Sequence, residues 1–148
     1  MEDGIVISRI PITDKRYQQV YDLREEVLRK PIGLSLKNED LTSDAINTIF
    51  IAEKDNKVIG CVMLYPIDDE EKIKLRQMAV DGDWQGRGVG RMLVEAAETY
   101  AKQQGYSSII LHARSVSEGF YKKLGYYTTS SEFTEVGIPH VVMEKDIF

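Results

Sequence analysis

Cysteine, positive charge and long apolar runs are all scarce in this chain. Among its 148 residues there is one cysteine, Cys61, so no disulfide can close within the chain. Lys and Arg number 19 against 24 Asp and Glu, a net charge of −5. This balance argues against a broad nucleic-acid-binding or membrane-binding surface, because both need an excess of basic residues. An anionic ligand would need a local site.

Targeting and membrane-spanning segments are missing from the pattern as well. The start, "MEDGIVISRI", has neither the basic residues nor the apolar core of a secretory signal. The longest apolar run, residues 58–67, contains Gly60 and Pro66 and is too short to span a bilayer. We expect one soluble, cytoplasmic domain over residues 1–148.

Hydrophobic periodicity predicts a mixed α/β sheet in the order β, α, three β, α, β, α, β, β. The predicted strands cover residues 4–10, 48–67 (two strands turning at Asp55-Asn56), 72–80, 107–113, 126–130 and 140–147. The predicted helices cover residues 15–29, the stretch after Gly90 up to Gly105, and the stretch from Ser115 up to Gly125. In this last helix Val116, Phe120 and Leu124 share one face, which we expect to be buried.

The strand at 72–80 contains a break in alternation. Ile73 and Leu75 lie on one face, whereas Met78 and Val80 have the opposite parity. One extra residue is needed if both pairs are to be buried on the same side, so we predict a β-bulge near Arg76-Gln77. Such a bulge would release backbone amides beside a cleft.

Three glycines, Gly86, Gly88 and Gly90, stand at alternate positions directly before the second helix. A strand, a glycine loop and a helix N-terminus can together hold phosphate, because free N–H groups and the positive end of the helix dipole converge there. Arg87 and Arg91 add positive charge. The spacing fits neither a dinucleotide fingerprint nor a P-loop, and a merely flexible turn is the alternative.

These segments resemble one known family. "QGRGVG" (residues 85–90) is similar to the Q/R-x-x-G-x-G/A loop of the GNAT superfamily of N-acetyltransferases, and "MAVDGDW" stands where that family has its splayed strand. "FYKKLGY" (residues 120–126) resembles the family's second signature. "REEVLRKPIGL" and "FTEVGIPHVVMEK" are similar to the ElaA-like group of acyltransferases. The resemblance implies a mainly antiparallel sheet with a splayed, bulged central strand and flanking helices.

The resemblance also implies acetyl-coenzyme A as cosubstrate and calls for no metal. Met78, Ala79 and Val80 would face the thioester and the pantetheine arm. The pyrophosphate would lie against Gln85, Gly86, Arg87, Gly88, Val89, Gly90 and Arg91. The position seven residues before Tyr121, often Asn in the family, is Arg114 here.

Acetyl transfer to an amine needs a group that protonates the departing thiolate and one that takes the amine proton. In the family the tyrosine matching Tyr121 points at the coenzyme sulfur, and since we expect Phe120 and Leu124 to be buried, Tyr121 should face elsewhere; simple packing is the alternative. For the base we consider Glu132, Glu135 and His140, or a water chain without a dedicated base.

Basic residues near the first helix end offer a further hypothesis. Arg24, Arg29 and Lys30 would either bind a carboxylate on the acceptor or be exposed helix-end charges. We expect an acetyl-CoA-dependent N-acetyltransferase that acts on a primary amine of a small molecule or peptide, with no nucleic-acid or membrane partner. A non-catalytic acyl-CoA-binding sensor and a structural α/β module are the alternatives, and homodimer formation stays open.

Overall fold

An eight-stranded sheet forms the centre of the molecule, in a computed structural model that describes residues 4–148. Seven strands follow the order β1-β2-β3-β4-β5-β8-β6, and β7 also pairs with β8. The strands are β1 Val6–Ile10, β2 Thr48–Lys54, β3 Lys57–Pro66, β4 Lys72–Val80, β5 Ser108–Arg114, β6 Tyr127–Thr128, β7 Phe133–Glu135 and β8 Ile138–Asp146. Only β4 and β5 pair in parallel, so the predicted mixed, mainly antiparallel sheet is confirmed.

Three α-helices flank this sheet: α1 Tyr17–Arg24, α2 Val89–Gln103 and α3 Glu118–Lys123. The α2 helix buries a stripe that includes Val89, Leu93 and Ala97, as its periodicity predicts. It packs so closely that a Cβ on Gly60 of β3 would lie 2.9 Å from the Val89 side chain. The α1 helix covers a second core on the other face, around Ile49, Ile51, Cys61 and Met63.

The turn between β2 and β3 has the predicted residues and the expected geometry. Asp55 and Asn56 have φ values of 52° and 65°, the left-handed pair that a type I′ hairpin turn requires. The β-hairpin is therefore confirmed. A second hairpin was not predicted: Val136 and Gly137, also with positive φ, turn the chain from β7 into β8.

The fourth strand carries the predicted bulge. Met63 of β3 pairs with Arg76 and Cys61 pairs with Ala79, so β4 uses one residue more than β3 across this interval. Gln77, within the interval, has a φ of 57°. The bulge near Arg76-Gln77 is thus confirmed.

Beyond the bulge the sheet opens between β4 and β5. Pairing joins Lys72–Leu75 only to Ser108–Leu111, although β4 continues to Val80 and β5 to Arg114. The strands separate after Leu75 and Leu111, and the remainder of β4 keeps its pairing to β3 alone. This opening forms a cleft in the sheet between the ends of β4 and β5.

The first helix begins at Tyr17 and changes its winding before it ends. After Arg24 the chain forms a π-helix over Glu25–Arg29 and a 3₁₀ turn over Lys30–Ile32, and Gly33 closes it with a φ of 76°. A wide π turn shifts the side chains that follow to a different face, and such turns are common at functional sites. Within residues 4–148, none of the helices has both the length and the apolar character needed to cross a membrane.

Candidate active site

The glycine loop ends one strand and begins one helix. Gly86 and Gly88 have φ values of 75° and 85°, and a Cβ built on either would meet nothing within 4 Å. There is therefore room for a side chain at both positions. The positive φ of the backbone is what favours glycine there. Gln85, which precedes these glycines, anchors the loop by donating from Nε2 to the Val80 carbonyl at 3.1 Å.

The first turn of α2 has features that suit an anion. Gly88 occupies the N-cap position without a side-chain cap, and the first turn contains no acidic residue. Backbone N–H groups at such a helix start have no intrahelical acceptor, so a phosphate can accept from them. Arg91 is exposed on this turn, and its Nε lies 3.4 Å from Glu95 Oε1. The residues present fit the pyrophosphate of a coenzyme.

Arg87 is oriented by an aromatic ring. Its guanidinium lies 4.0 Å from the centroid of the Trp84 ring, and its Nη1 donates to the Asp83 carbonyl at 3.4 Å. Asp81 accepts from the Asp83 backbone N–H at 2.9 Å and so fixes the preceding turn. These contacts hold the cation beside the loop.

The third glycine brings α3 against the loop. A Cβ on Gly90 would lie 3.2 Å from the Phe120 ring and 3.9 Å from Val80. Phe120 covers this glycine while 38% of its own surface stays exposed. The loop, the end of β4 and α3 are therefore in mutual contact.

The prediction of which α3 face is buried is wrong for Val116 and Phe120, whereas Leu124 is half-buried against the core as expected. Val116 is 92% exposed and Phe120 lies at the surface, whereas Tyr121 is only 7% exposed. The Tyr121 ring packs edge-on against Phe120 and Tyr126, at centroid distances of 5.0 and 5.7 Å. Burial raises the Tyr121 pKa to about 12. A helix of six residues is too short for its own pattern to set its orientation, and packing against the sheet decides it.

The splayed part of β4 carries Met78, Ala79 and Val80. Ala79 is buried against the α1 side, whereas Met78 and Val80 are half-buried against the core beneath α2. Cys61 is fully buried behind them and donates weakly to the Gln77 carbonyl, with Sγ at 3.6 Å. Burial raises the pKa of this thiol to about 12, so it stays protonated and packs in the core as an apolar side chain.

Two of the three candidate bases lie together. Glu135 Oε1 is 2.8 Å from His112 Nδ1, and Glu135 Oε2 is 3.8 Å from His140 Nε2. His140 is buried and donates from Nδ1 to the Ile138 carbonyl at 2.9 Å. The Phe133 ring stacks on His140 and meets His112 edge-on. We call Glu135, His112 and His140 the carboxylate-imidazole cluster.

The charge state of Glu135 follows from its neighbours. Burial acts to raise the pKa of this carboxyl. The hydrogen bond from His112 and the electrostatic effects of His112, His140 and Lys74 together lower it by more than burial raises it, so the net shift of the pKa is downward. Glu135 is therefore ionised at neutral pH. A carboxylate that orients an imidazole is a recurring arrangement for proton transfer.

His112 is absent from the predicted site, although its position carried a signal. It stands between the buried residues Leu111 and Ala113 on β5. Alternation along the strand therefore sends it to the opposite face. Glu132, the third candidate base, lies apart from the cluster, where it accepts from Ser115 Oγ at 2.9 Å and is exposed.

The three basic residues near the end of α1 have partners within the chain. Arg24 and Asp44 are 1% and 2% exposed and form an ion pair of 2.7 Å, and the Tyr17 hydroxyl donates to the same carboxylate. Arg29 is buried and pairs with Glu39 at 2.5 Å, while Lys30 is exposed. Arg24 and Arg29 are thus neither exposed charges nor unpaired carboxylate ligands.

A cavity of about 730 Å³ lies between α1 and the turn after β4. Gln85 is the one member of the predicted site that lines it, and the charged lining residues are four acids, Asp22, Glu26, Asp81 and Asp83, and one cation, Lys57, whose Nζ lies 3.6 Å from Asp81 Oδ2. A wall with this charge opposes a polyanion. The coenzyme fits the glycine loop better than this acidic cavity.

The site is divided between the two faces of the sheet. Tyr121 belongs to the core beneath α2, whereas His112 and His140 alternate with core residues of β5 and β8 and so lie on the α1 face. The opening between β4 and β5 joins the two faces. This arrangement puts the Tyr121 phenol on one side of the sheet and the His112 and His140 imidazoles on the other.

The fold and this loop define a class of protein. A family model described as an acetyltransferase (GNAT) domain matches residues 12–147, and the chain belongs to this GNAT acetyltransferase family. Human N-acetyltransferase 8B is 30% identical over 116 residues, which are 71% of this chain and 51% of the human protein. The chain spans about half the length of the curated relatives it matches.

Solved structures share the fold. Escherichia coli ElaA superposes with a TM-score of 0.82 at 19% identity, covering 95% of this chain and 99% of ElaA. A GNAT family acetyltransferase from Elizabethkingia anophelis, solved with acetyl-CoA bound, gives a TM-score of 0.73 at 24% identity, covering 98% and 99%. At these identities the likeness concerns the fold.

Proposed function

We propose that the protein is an acetyl-CoA-dependent N-acetyltransferase that moves the acetyl group directly to a primary amine of a small molecule or peptide. The observation that carries the proposal is the opening between β4 and β5, with the uncapped, glycine-rich start of α2 at its end. Met78, Ala79 and Val80 have no strand partner on the β5 side. Their backbone groups are the donors we assign to the acyl arm.

The loop residues hold the coenzyme in this proposal. The N–H groups of Gly88, Val89 and Gly90 meet the pyrophosphate, and the lack of side chains at Gly86 and Gly88 allows close approach. Arg87 and Arg91 supply positive charge, and Gln85 fixes the loop to Val80. Bound acetyl-CoA supplies an activated acyl group, so no covalent nucleophile is needed. The buried, protonated Cys61 agrees with this.

Tyr121 is the proton donor we assign to the leaving thiolate. Its raised pKa of about 12 keeps the phenol protonated at neutral pH, so it can donate a hydrogen bond to the sulfur as negative charge develops there. The structure gives the Tyr121 hydroxyl no hydrogen-bond partner in residues 4–148, and a substrate atom can take that place.

The carboxylate-imidazole cluster is the proton acceptor we assign to the acceptor amine. The His112 ring donates from Nδ1 to ionised Glu135, which leaves Nε2 as the acceptor in the neutral ring. His140 adds a second imidazole against the same carboxylate. Either ring can take a proton directly or through a water, and Glu135 stabilises the charge that results.

The test combines binding with turnover. Calorimetric titration with acetyl-CoA measures affinity, and release of free thiol is followed in the same samples against a panel of amines, amino acids and peptides. Binding together with amine-dependent thiol release is the expected result. Binding without release from any amine would favour the acyl-CoA sensor, and absence of binding would overturn the proposal.

A further inference from the structure

Three half-buried cations lie where β4 and β5 separate: Lys74, Arg76 and Arg114. Lys74 and Arg76 flank Leu75, the last β4 residue paired to β5, and Arg114 ends β5. Their neighbours Ile73, Leu75 and Ala113 belong to the core beneath α2. Alternation therefore sends the three cations to the α1 face, the face of the carboxylate-imidazole cluster.

None of these three cations has a carboxylate within 4 Å in the part of the chain that the structure describes. Arg76 Nη2 donates to Ser43 Oγ at 2.9 Å, and its guanidinium lies 4.2 Å from the Tyr65 ring centroid. Arg114 Nη2 donates to the Leu28 carbonyl at 3.1 Å. These direct partners are all neutral, and Glu135 compensates the Lys74 charge only from beyond ion-pair distance.

The pattern differs from that of the other buried cations. Arg24 and Arg29 have Asp44 and Glu39 as ion-pair partners, as buried charges usually do. Asp44 also exerts a favourable charge effect on Arg76, but its hydrogen bonds go to Arg24 and Tyr17. In a chain with five more acidic than basic residues, this face has an excess of positive charge.

Partial burial of these three side chains makes their positive charges energetically unfavourable. Among residues 4–148, Arg76 Nε is buried without a hydrogen-bond partner, as is Arg24 Nε, but Arg24 has the Asp44 carboxylate at Nη1 and Arg76 has no carboxylate partner. Burial lowers the pKa of Lys74, Arg76 and Arg114, and the neighbouring cation Arg29 contributes at Arg114. A half-buried cation without a counterion is destabilising, and a bound anion would compensate its charge.

We infer that this face binds the acceptor through a carboxylate, so that the acceptor class is a primary amine carrying a carboxylate, as in an amino acid. The inference rests on the proposed function and names its acceptor. A guanidinium matches a carboxylate in geometry and charge, and the carboxylate supplies the missing counterion. An amine without an anionic group adds another cation to the face and is rejected.

The same charges favour the reaction. An amine must lose its proton before it attacks the acyl carbon, and nearby cations favour the neutral form of the amine. The face therefore selects the acceptor by its carboxylate and prepares its amine. The carboxylate-imidazole cluster on the same face takes the proton.

The experiment compares amino acids with the amines that remain when their carboxylate is removed: lysine with cadaverine, ornithine with putrescine, and tyrosine with tyramine. Thiol release at saturating acetyl-CoA gives kcat/KM for each member. Calorimetry on protein saturated with coenzyme A gives the affinity for each member without turnover. We expect the amino acid to exceed its partner at least about tenfold in both measurements.

The two measurements separate the two hypotheses. Preferential binding of amino acids without thiol release would overturn the proposed function and leave the carboxylate site in place. Thiol release with equal or greater use of cadaverine, putrescine and tyramine would overturn the carboxylate site and point to the acidic cavity. Absence of both preference and release would overturn both.

Variants locate the effect. Arg76→Gln and Arg114→Gln should each reduce the preference for the amino acid over its decarboxylated amine by about tenfold or more. Lys74→Gln should reduce this preference less, because a lysine ammonium lacks the planar guanidinium that can donate two parallel hydrogen bonds to a carboxylate. Lys102→Gln, an exposed position on the last turn of α2, is the matched loss of one positive charge and should leave the preference unchanged. Unaltered acetyl-CoA affinity shows that each variant is folded. An unchanged preference in Arg76→Gln and Arg114→Gln would overturn the assignment.

Discussion

The two halves of the candidate site are built in opposite ways. The glycine loop is exposed, comes from one continuous segment and offers mainly backbone groups, so a handful of neighbouring residues defines it. The α1 face is half-buried and offers side chains from α1, β4, β5, β7 and β8. In the proposed function, the backbone groups of the loop bind the cosubstrate, which is the same for every acceptor. The side chains of the α1 face bind the acceptor, and substitutions there can change which acceptor is used. The difference shows how one fold can keep its cosubstrate and change its substrate.

The largest expected effect comes from breaking the buried ion pair behind the α1 face. Asp44→Ala leaves Arg24 buried without its carboxylate, and loss of one partner of a buried pair typically costs about 3 to 5 kcal/mol. Urea unfolding measures the change. Glu39→Ala removes a carboxylate whose side chain is 35% exposed, so the loss should be smaller, about 1 to 2 kcal/mol. Equal effects of the two variants would contradict the contrast between the buried network and the surface.

Tyr121→Phe tests the proposed proton donor. Removal of a proton donor should lower kcat about 100-fold, whereas acetyl-CoA affinity should change little because the ring and its packing remain. The rate of thiol release gives kcat, and calorimetry gives the acetyl-CoA affinity. Tyr127→Phe removes a hydroxyl from an exposed ring on β6 and should leave kcat unchanged. An unaltered rate in Tyr121→Phe would remove this residue from the mechanism.

Gly88→Ala and Gly105→Ala separate strain from ligand contact in the loop. Both glycines have a left-handed φ, 85° and 91°, with nothing within 4 Å of an added Cβ, so each variant should lose about 1 kcal/mol of unfolding free energy. Only Gly88→Ala should also weaken acetyl-CoA binding, since its methyl group projects into the proposed pyrophosphate site. Calorimetry compares the affinities. Equal affinities in the two variants would mean that the loop does not approach the coenzyme.

Glu135→Gln gives the smallest effect and sharpens the description of the α1 face. The pKa of Glu135 in the folded protein lies below its ordinary value of 4.5, so its stabilising contribution is present above about pH 4.5 and disappears as the pH falls through the lower, folded pKa. At pH 7 the variant should be less stable by under about 1 kcal/mol. Urea unfolding at several pH values should show this difference shrinking in acid. A difference that does not depend on pH would argue against the His112 and His140 contacts.

Short-range features of the fold could be predicted from the sequence. Positive φ at Asp55 and Asn56, the stripe of α2 and the bulge at Gln77 each follow from a local rule about turns, period or parity. Even the opening between β4 and β5 follows from a resemblance carried by contiguous motifs. These features depend on residues that are near one another along the chain.

Features that depend on distant partners could not be predicted in this way. The buried face of α3 is set by contact with Gly90 and the sheet, and the pairing of Arg24 and Arg29 is set by Asp44 and Glu39 together with the π turn between them. The β7 strand is three residues long and has no periodicity to detect. Each of these outcomes was decided by tertiary packing.

By itself, the sequence determined the mixed sheet, the glycine loop before an amphipathic helix and the break in β4, because backbone preference and hydrophobic alternation act over a few residues. Only the tertiary structure decided that Tyr121 is buried, that Glu135 lies between two imidazoles, and that Lys74, Arg76 and Arg114 share one face without an ion-pair partner among residues 4–148. Burial and charge pairing are properties of residues brought together from different strands, and no local pattern specifies them.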